Sequence, residues 1–164
     1  MDIILIGRAA EDGILELIEK NKDGISAKYS KRYFSEGLAG LEAEFGDDKC
    51  MRILNSAGAD VFVVGRQGIF SALHKLGQTC DTGFKVELNL IPIKQFCIEI
   101  ADMLDVNPYT LSSLGCILVL ARDGNALAAA LKGEGYPAAV IGYTTQEKGC
   151  CVIKGDTVMY LGTE

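Results

Sequence analysis

A β-branched and aromatic run, Asp60-Val61-Phe62-Val63-Val64, meets the turn Gly65-Arg66-Gln67-Gly68, and an apolar helical face follows in Ile69, Phe70, Ala72, Leu73 and Leu76. This direct succession of strand, glycine-bearing turn and helix constrains the chain more than any other feature in it. The run before the turn fits a buried strand, and the change to apolar spacings of three and four marks the helix. With 164 residues the chain is long enough for one adequate core, so the unit built around this segment is expected to be a single domain over residues 1–164.

The same alternation recurs on both sides. Asp2 to Ile6 is a short apolar run ending at Gly7, and Ile14, Leu15, Leu17 and Ile18 continue as a helix that Lys22-Asp23-Gly24 breaks. A second helical stripe runs from Tyr29 through Tyr33, Phe34, Leu38 and Leu41 to Phe45. Its Gly37 and Gly40 each weaken it by ~1 kcal/mol relative to alanine, so packing has to hold it. A short helix is expected between Asp47 and Ala59. Further on, Phe84, Val86, Leu88 and Leu90 alternate with Lys85, Glu87 and Asn89 as in a half-buried strand. Ile93 to Leu104 is a helical stripe stopped by Asp105-Val106-Asn107-Pro108. Gly115–Ala121 reads as a buried strand, Asp123 as an N-cap, Ala126–Leu131 as a helix and Ala138–Ile141 as a strand. Cys150–Ile153 and Val158–Leu161 flank Gly155-Asp156 as a hairpin. Strands alternating with helices predict crossover connections and an α/β fold in which helices cover a mixed sheet.

Charge and composition exclude several functions. A net charge of −6, from 16 basic and 22 acidic side chains, argues against nucleic-acid and anionic-membrane partners. No apolar stretch approaches the ~20 residues that span a bilayer, and the start carries no secretory leader, so a cytoplasmic location is expected. The six cysteines show no CxxC or Cys/His spacing and read as reduced, mostly core-filling thiols. Cys150 and Cys151, adjacent on a strand, point to opposite faces, one buried and one exposed. Asp47-Asp48, Glu42 and Glu44 lack the spacing of a metal loop and read as solvated helix ends. Lys28, Lys31 and Arg32 form a solvated basic face. His74, the sole histidine, falls on the helix whose apolar face is made by Ile69, Ala72, Leu73 and Leu76, and reads as a surface or boundary residue with no nucleophile to pair with. Neither a catalytic residue, a metal ligand set nor a cofactor is expected.

The chemistry left lies in the central turn. Backbone amides at a helix start point outward, and glycine lets an anion approach them, so Gly65, Arg66, Gln67 and Gly68 are the candidate ligand-binding residues. Arg66 adds a fork of donors. The competing reading is a tight strand-to-helix connection with a solvated arginine, since neither GxxxxGK[ST] nor GxGxxG is present.

The order of motifs from Ala59 onward resembles the C-terminal domain of the aminoimidazole-ribonucleotide synthetase (PurM-like) superfamily, which includes selenophosphate synthetase and a hydrogenase maturation dehydratase. Arg66-Gln67-Gly68-Ile69-Phe70-Ser71-Ala72-Leu73, Gly83-Phe84-Lys85-Val86-Glu87 and Ile91-Pro92-Ile93 carry the resemblance. Asn107-Pro108-Tyr109, Ser113-Leu114-Gly115 and Val140-Ile141-Gly142 continue it, and Gly7 with Lys28-Tyr29-Ser30 looks like the same domain's entry. The resemblance implies an α/β sandwich whose glycine turn faces a phosphate-bearing ligand, at a cleft with a preceding ATP-binding domain that these residues do not include. The chain departs from the pattern at three places. Val63 stands where an acidic residue usually precedes the turn, Gln67-Gly68 replaces paired glycines, and Ala10 replaces a second glycine after Gly7. The dehydratase's reactive C-terminal cysteine has no counterpart in Leu161-Gly162-Thr163-Glu164.

These departures fall where chemistry would need specific groups. The expected function is therefore a stand-alone, non-catalytic domain that binds a small phosphorylated or anionic ligand or regulates a partner, and that self-associates as a homo-oligomer. The alternative is a subunit completing an ATP-dependent enzyme with a separately encoded ATP-binding half.

Overall fold

The most apolar strand of the chain is also the most deeply buried. In the computed structural model, which describes residues 1–42 and 45–161, β1 (Asp2–Ile6) has Ile3, Ile4, Leu5 and Ile6 all fully buried. A strand apolar on both faces needs cover on both, and β1 sits in the middle of a seven-stranded sheet. The other strands are β2 (Asp60–Val63), β3 (Gly83–Glu87), β4 (Ile117–Ala121), β5 (Ala138–Thr145), β6 (Cys150–Lys154) and β7 (Thr157–Tyr160). Their order is β2-β4-β1-β5-β3-β6-β7.

The sheet is mixed, and only β3 and β6 pair in parallel. The expected crossover connections are present in direction but not in pairing. Strands β1, β2 and β3 all run the same way, yet β4 lies between β2 and β1, and β5 between β1 and β3. Helical connections set the directions of the strands they join without making them neighbours.

The helices are α1 (Glu11–Ser26), α2 (Lys31–Ala39), α3 (Asp48–Ser56), α4 (Gly68–Thr79), α5 (Gln95–Met103) and α6 (Gly124–Gly133). The main core joins the sheet to α3, α4 and α6 through Leu54, Ile69, Leu73, Leu76, Leu127 and Leu131. A second core joins α1, α2 and α5 through Ile14, Ile18, Phe34, Phe96 and Ile100. Helices α4 and α6 lie on opposite faces of the sheet. Gly124 of α6 abuts the Asp2 side chain, whereas Gly77 of α4 abuts Cys150 Sγ and the Phe84 ring. By register, Asp2, Tyr143 and Lys85 share one face, and Phe84 lies on the other.

Several expectations need correction. The segment before the central turn is an edge strand, not a buried one, because β2 pairs only with β4, and its Asp60 and Val63 are exposed. The first helix does not stop at Lys22-Asp23-Gly24. It kinks at Asn21 and continues to Ser26. The second helix ends at the Gly40 cap, and Phe45 is buried in the main core instead. The alternating strand from Phe84 ends at Glu87, and Leu88–Leu90 turn as a 3-10 helix. Strand β4 starts two residues after Gly115, whose φ of +86° places it in a turn. Glu44 and Gly162–Glu164 lie outside the described residues.

Other expectations are met. Asp123 caps α6 by accepting from the Ala126 amide, Gly155-Asp156 turns the β6–β7 hairpin, and the Phe96 ring occupies the space beside Gly37. Among the described residues no helix is long and apolar enough to cross a membrane.

All six cysteines are free thiols, and Cys50, Cys97, Cys116 and Cys151 are buried. Of the adjacent pair expected to be one buried and one exposed, Cys151 is buried and Cys150 is half-buried, because α4 covers its face at Gly77. Burial pushes the Cys97 and Cys116 thiols up to about 12, which suppresses the reactive thiolate at neutral pH. Mass-spectrometric labelling of the native protein with iodoacetamide at pH 8 is expected to modify the exposed Cys80 first and to leave Cys97 and Cys116 unmodified until denaturant is added.

Candidate functional site

Strand β2 delivers the chain to the turn with Val63 in water at 76% exposure and Val64 buried. The Val64 amide donates to the Cys116 carbonyl at 3.1 Å, and the Gly65 carbonyl accepts from Gly68 N at 3.2 Å and Ser113 N at 3.3 Å. Residues 65–68 therefore close as a tight turn pinned to the loop ahead of β4. Gly68 is required by this geometry. Its φ is +86°, and a Cβ there would approach the carbonyl oxygens of Tyr109 and Leu111 to 2.6 and 2.7 Å. A 3-10 turn at Pro108–Thr110, capped by the Asn107 side chain at the Tyr109 amide, presents one of those carbonyls. Phe70 stacks on Tyr109 at 5.5 Å between ring centroids.

The four residues singled out in the sequence lie together. Gly65, Arg66, Gln67 and Gly68 line a groove of about 320 Å³ that Val63, Ser71, Ala72 and Lys75 complete. Ser71, Ala72 and Lys75 follow Gly68 at helical spacings of three, four and seven, so all of them fall on one face of α4. That spacing was available in the sequence as the signal for the three. Helix α4 starts without a side-chain cap. Gln67 instead accepts a hydrogen bond from the Ser71 hydroxyl at 3.1 Å. Arg66 Nη1 lies 3.7 Å from Glu16 Oε1, both side chains largely in water, a contact too weak and screened to hold the arginine. Lys75 is exposed and forms no ion pair among the described residues. The groove thus carries two cationic side chains, one hydroxyl and uncapped helix amides, a set that suits an anion.

Two carboxylates near Val63 are engaged elsewhere or lie aside. Asp47 caps α3 through the Cys50 amide and accepts from the Tyr136 hydroxyl. Its carboxyl is held below the usual range, chiefly by Tyr136, whose phenol is pushed up to about 12 by the same bond. Among the described residues, no group of three or more His, Cys, Asp or Glu is placed to hold a metal ion. His74 sits half-buried in the middle of α4, its Nδ1 buried without a hydrogen-bond partner among the described residues.

The loop between β1 and α1 is a second polar cluster that the sequence reading passed over. Glu11 is 1% exposed, with Arg8 Nε at 2.5 Å and Lys94 Nζ at 3.6 Å. Its Oε1 also accepts from the Glu42 amide at 3.1 Å, and Arg8 lies over the Phe45 ring at 5.1 Å. The Arg8–Glu11 spacing of three was the only trace of it. Ala10, at the place of the expected glycine, adopts φ +68°. The left-handed conformation costs an alanine ~1–2 kcal/mol. Its buried methyl contributes ~0.8 kcal/mol, and glycine would lose ~0.5–1 kcal/mol more chain entropy. The two sides nearly cancel, which is why alanine is tolerated there.

A mixed sheet with this strand order and helices on both faces defines the PurM-like fold. No protein-family model matches the chain, and no curated protein matches it significantly. Solved structures do. HypE of E. coli, a hydrogenase maturation protein, superposes with a TM-score of 0.78 at 17% identity, covering 99% of this chain and 50% of HypE. The HypE–HypF complex matches with a TM-score of 0.77 at 15% identity, covering 98% of this chain and 52% of that one. Thiamine-monophosphate kinase from Stenotrophomonas maltophilia matches with a TM-score of 0.64 at 18% identity, covering 94% and 49%. The chain spans about half the length of these proteins.

Replacement of Gly68 by alanine is expected to lower stability by ~1–3 kcal/mol through the strained conformation and the contact with the 109–111 backbone. Gly65→Ala meets open space and is expected to change stability by less than ~1 kcal/mol. Urea titrations of the two variants check the difference. Glu11→Ala, which leaves Arg8 and Lys94 without their buried partner, is expected to cost ~3–5 kcal/mol in the same assay.

Proposed function

We propose that this domain is a PurM-like C-terminal domain that binds a small phosphorylated ligand in the groove at the start of α4. Gly65 and Gln67 supply backbone donors, Gly68 closes the turn through its own amide, and Arg66 and Lys75 neutralise the charge. The observation that carries the reading is the pairing of two loosely held cations, Arg66 and Lys75, with a helix start that has no side-chain cap. The solved neighbours support it by their own ligands, ATP for HypE and AMPPCP with TMP for thiamine-monophosphate kinase from Aquifex aeolicus. The role is binding rather than catalysis. The groove lining offers no carboxylate, imidazole or thiol, and at the position where the resemblance expects an acid, Val63 provides nothing to move a proton.

Binding stabilises the folded state by RT ln(1 + [L]/Kd), about 2.7 kcal/mol at a hundredfold excess over Kd. Calorimetric titration at low salt with pyrophosphate, ATP and ribose 5-phosphate is expected to give saturable binding for at least one. Lys75→Ala and Arg66→Ala are each expected to weaken it about tenfold, equivalent to about 1.4 kcal/mol. An absence of heat and of thermal shift with all three would overturn the reading.

A second reading, supported by the coverage of only about half of the HypE and thiamine-monophosphate kinase chains, is that the domain completes an ATP-dependent enzyme with an ATP-binding half on another polypeptide. Affinity purification of this chain from its own cells would then recover a PurM-like ATP-binding polypeptide in equal amount, and recovery of this chain alone counts against it.

A further inference from the structure

The sheet is covered unevenly. Helix α6 lies over the β1 side of one face, where Gly124 meets Asp2 and the Gly124 amide donates to Asp2 Oδ2 at 2.8 Å. Beyond it, on the same face, no α-helix covers β3, β6 and β7 among the described residues, although Cys151 is buried between its neighbours. The register sets Tyr143, Lys85, Cys151 and Tyr160 in one row across this face, and Glu87, Ile153 and Val158 in the next. Tyr143 is 50% exposed, Val158 48%, Tyr160 58%, and Leu90, at the end of the rows, 46%. A cavity of about 180 Å³ flanked by Lys85, Glu87, Leu90, Tyr143 and Ile153 makes the face concave. Strand β7 is a free edge with no charge or proline of its own, lacking the usual safeguards of an edge strand.

We propose that this face is a two-fold interface between copies of this chain. The occupant is identified by charge. Lys85 and Glu87, two residues apart on one strand and therefore ~7 Å apart on one face, are both exposed, and neither forms an ion pair among the described residues. An axis passing between them sets Lys85 of each copy against Glu87 of the other, while the aromatic and aliphatic side chains around them are buried. An isologous interface requires a surface complementary to itself, and one cation beside one anion amid apolar residues meets that requirement. The interface lies at the end of the sheet opposite β2, so it leaves the groove at Gly65–Gly68 open, and it stands independently of the ligand reading.

Sedimentation velocity of the full chain across the micromolar range tests it. The unaltered protein is expected to be a dimer. Lys85→Glu sets two anions against each other at both contacts and Glu87→Lys sets two cations, so each is expected to raise the dimer Kd at least about tenfold, with an unchanged circular dichroism spectrum. Like-charge juxtaposition at an interface produces losses of this size. An equimolar mixture of the two variants restores opposite charges at both contacts and is expected to regain the dimer, which a merely damaged fold would not do. A monomeric unaltered protein, single variants that dimerise normally, or a mixture that stays monomeric would each overturn the proposal. So would loss of the dimer through Val63→Lys at the far edge.

Discussion

Ser113 is the point on which the site and the surrounding loops depend. The residue is 1% exposed. Its amide donates to the Gly65 carbonyl, its hydroxyl oxygen accepts from the Ala10 amide at 2.8 Å, and its hydroxyl reaches the Leu111 carbonyl at 3.3 Å. One small side chain thus ties the turn before α4 to the loop before α1. The neighbouring bonds reinforce this. The Ser112 hydroxyl donates to Asp12, the Leu114 amide donates to the same carboxylate at 3.0 Å, and the Gly13 amide donates to the Ser112 carbonyl. A buried amide left without its acceptor costs about 1–3 kcal/mol, so the two loops hold their shapes jointly. The groove at Gly65–Gly68 is therefore supported by a polar network rather than by the hydrophobic core alone.

Most of the fold was legible in the sequence because its signals are local. The Asp123 cap, the Gly155-Asp156 turn and the apolar periods of α1, α4 and α5 act within a few residues. What was misread depends on distant partners. The run at Asp60–Val64 is as apolar as an inner strand, and only the absence of a second neighbour for β2 makes it an edge. Phe45 continues a helical spacing arithmetically, yet it packs under Arg8. Gly65–Gly68 could be singled out as one groove because glycine, arginine and a helix start lie consecutively. The buried Glu11 cluster was missed because Lys94 and Glu42 reach it from other parts of the chain.

The motifs that carried the family resemblance turn out to be largely architectural. The Pro92 carbonyl accepts from the Ala9 amide at 2.8 Å. Asn107-Pro108-Tyr109 forms the capped turn against Gly68. At Gly142 a Cβ would approach the Lys85 carbonyl oxygen to 2.1 Å, so glycine there permits the close pairing of β3 and β5. Val63, Gln67 and Ala10, by contrast, stand where the scaffold tolerates change: Val63 and Gln67 face water, and Ala10 balances strain against burial.

The placement of β4 and β5 on either side of β1 also governs the order in which this protein becomes a protein. Strand β1 is made before both of its neighbours: Asp2 pairs with Ala121 and Tyr143, so the most apolar strand waits for residues far along the chain before either neighbour exists. Contacts so distant in sequence slow folding, and during synthesis Ile3–Ile6 must be sheltered by transient collapse or by a chaperone.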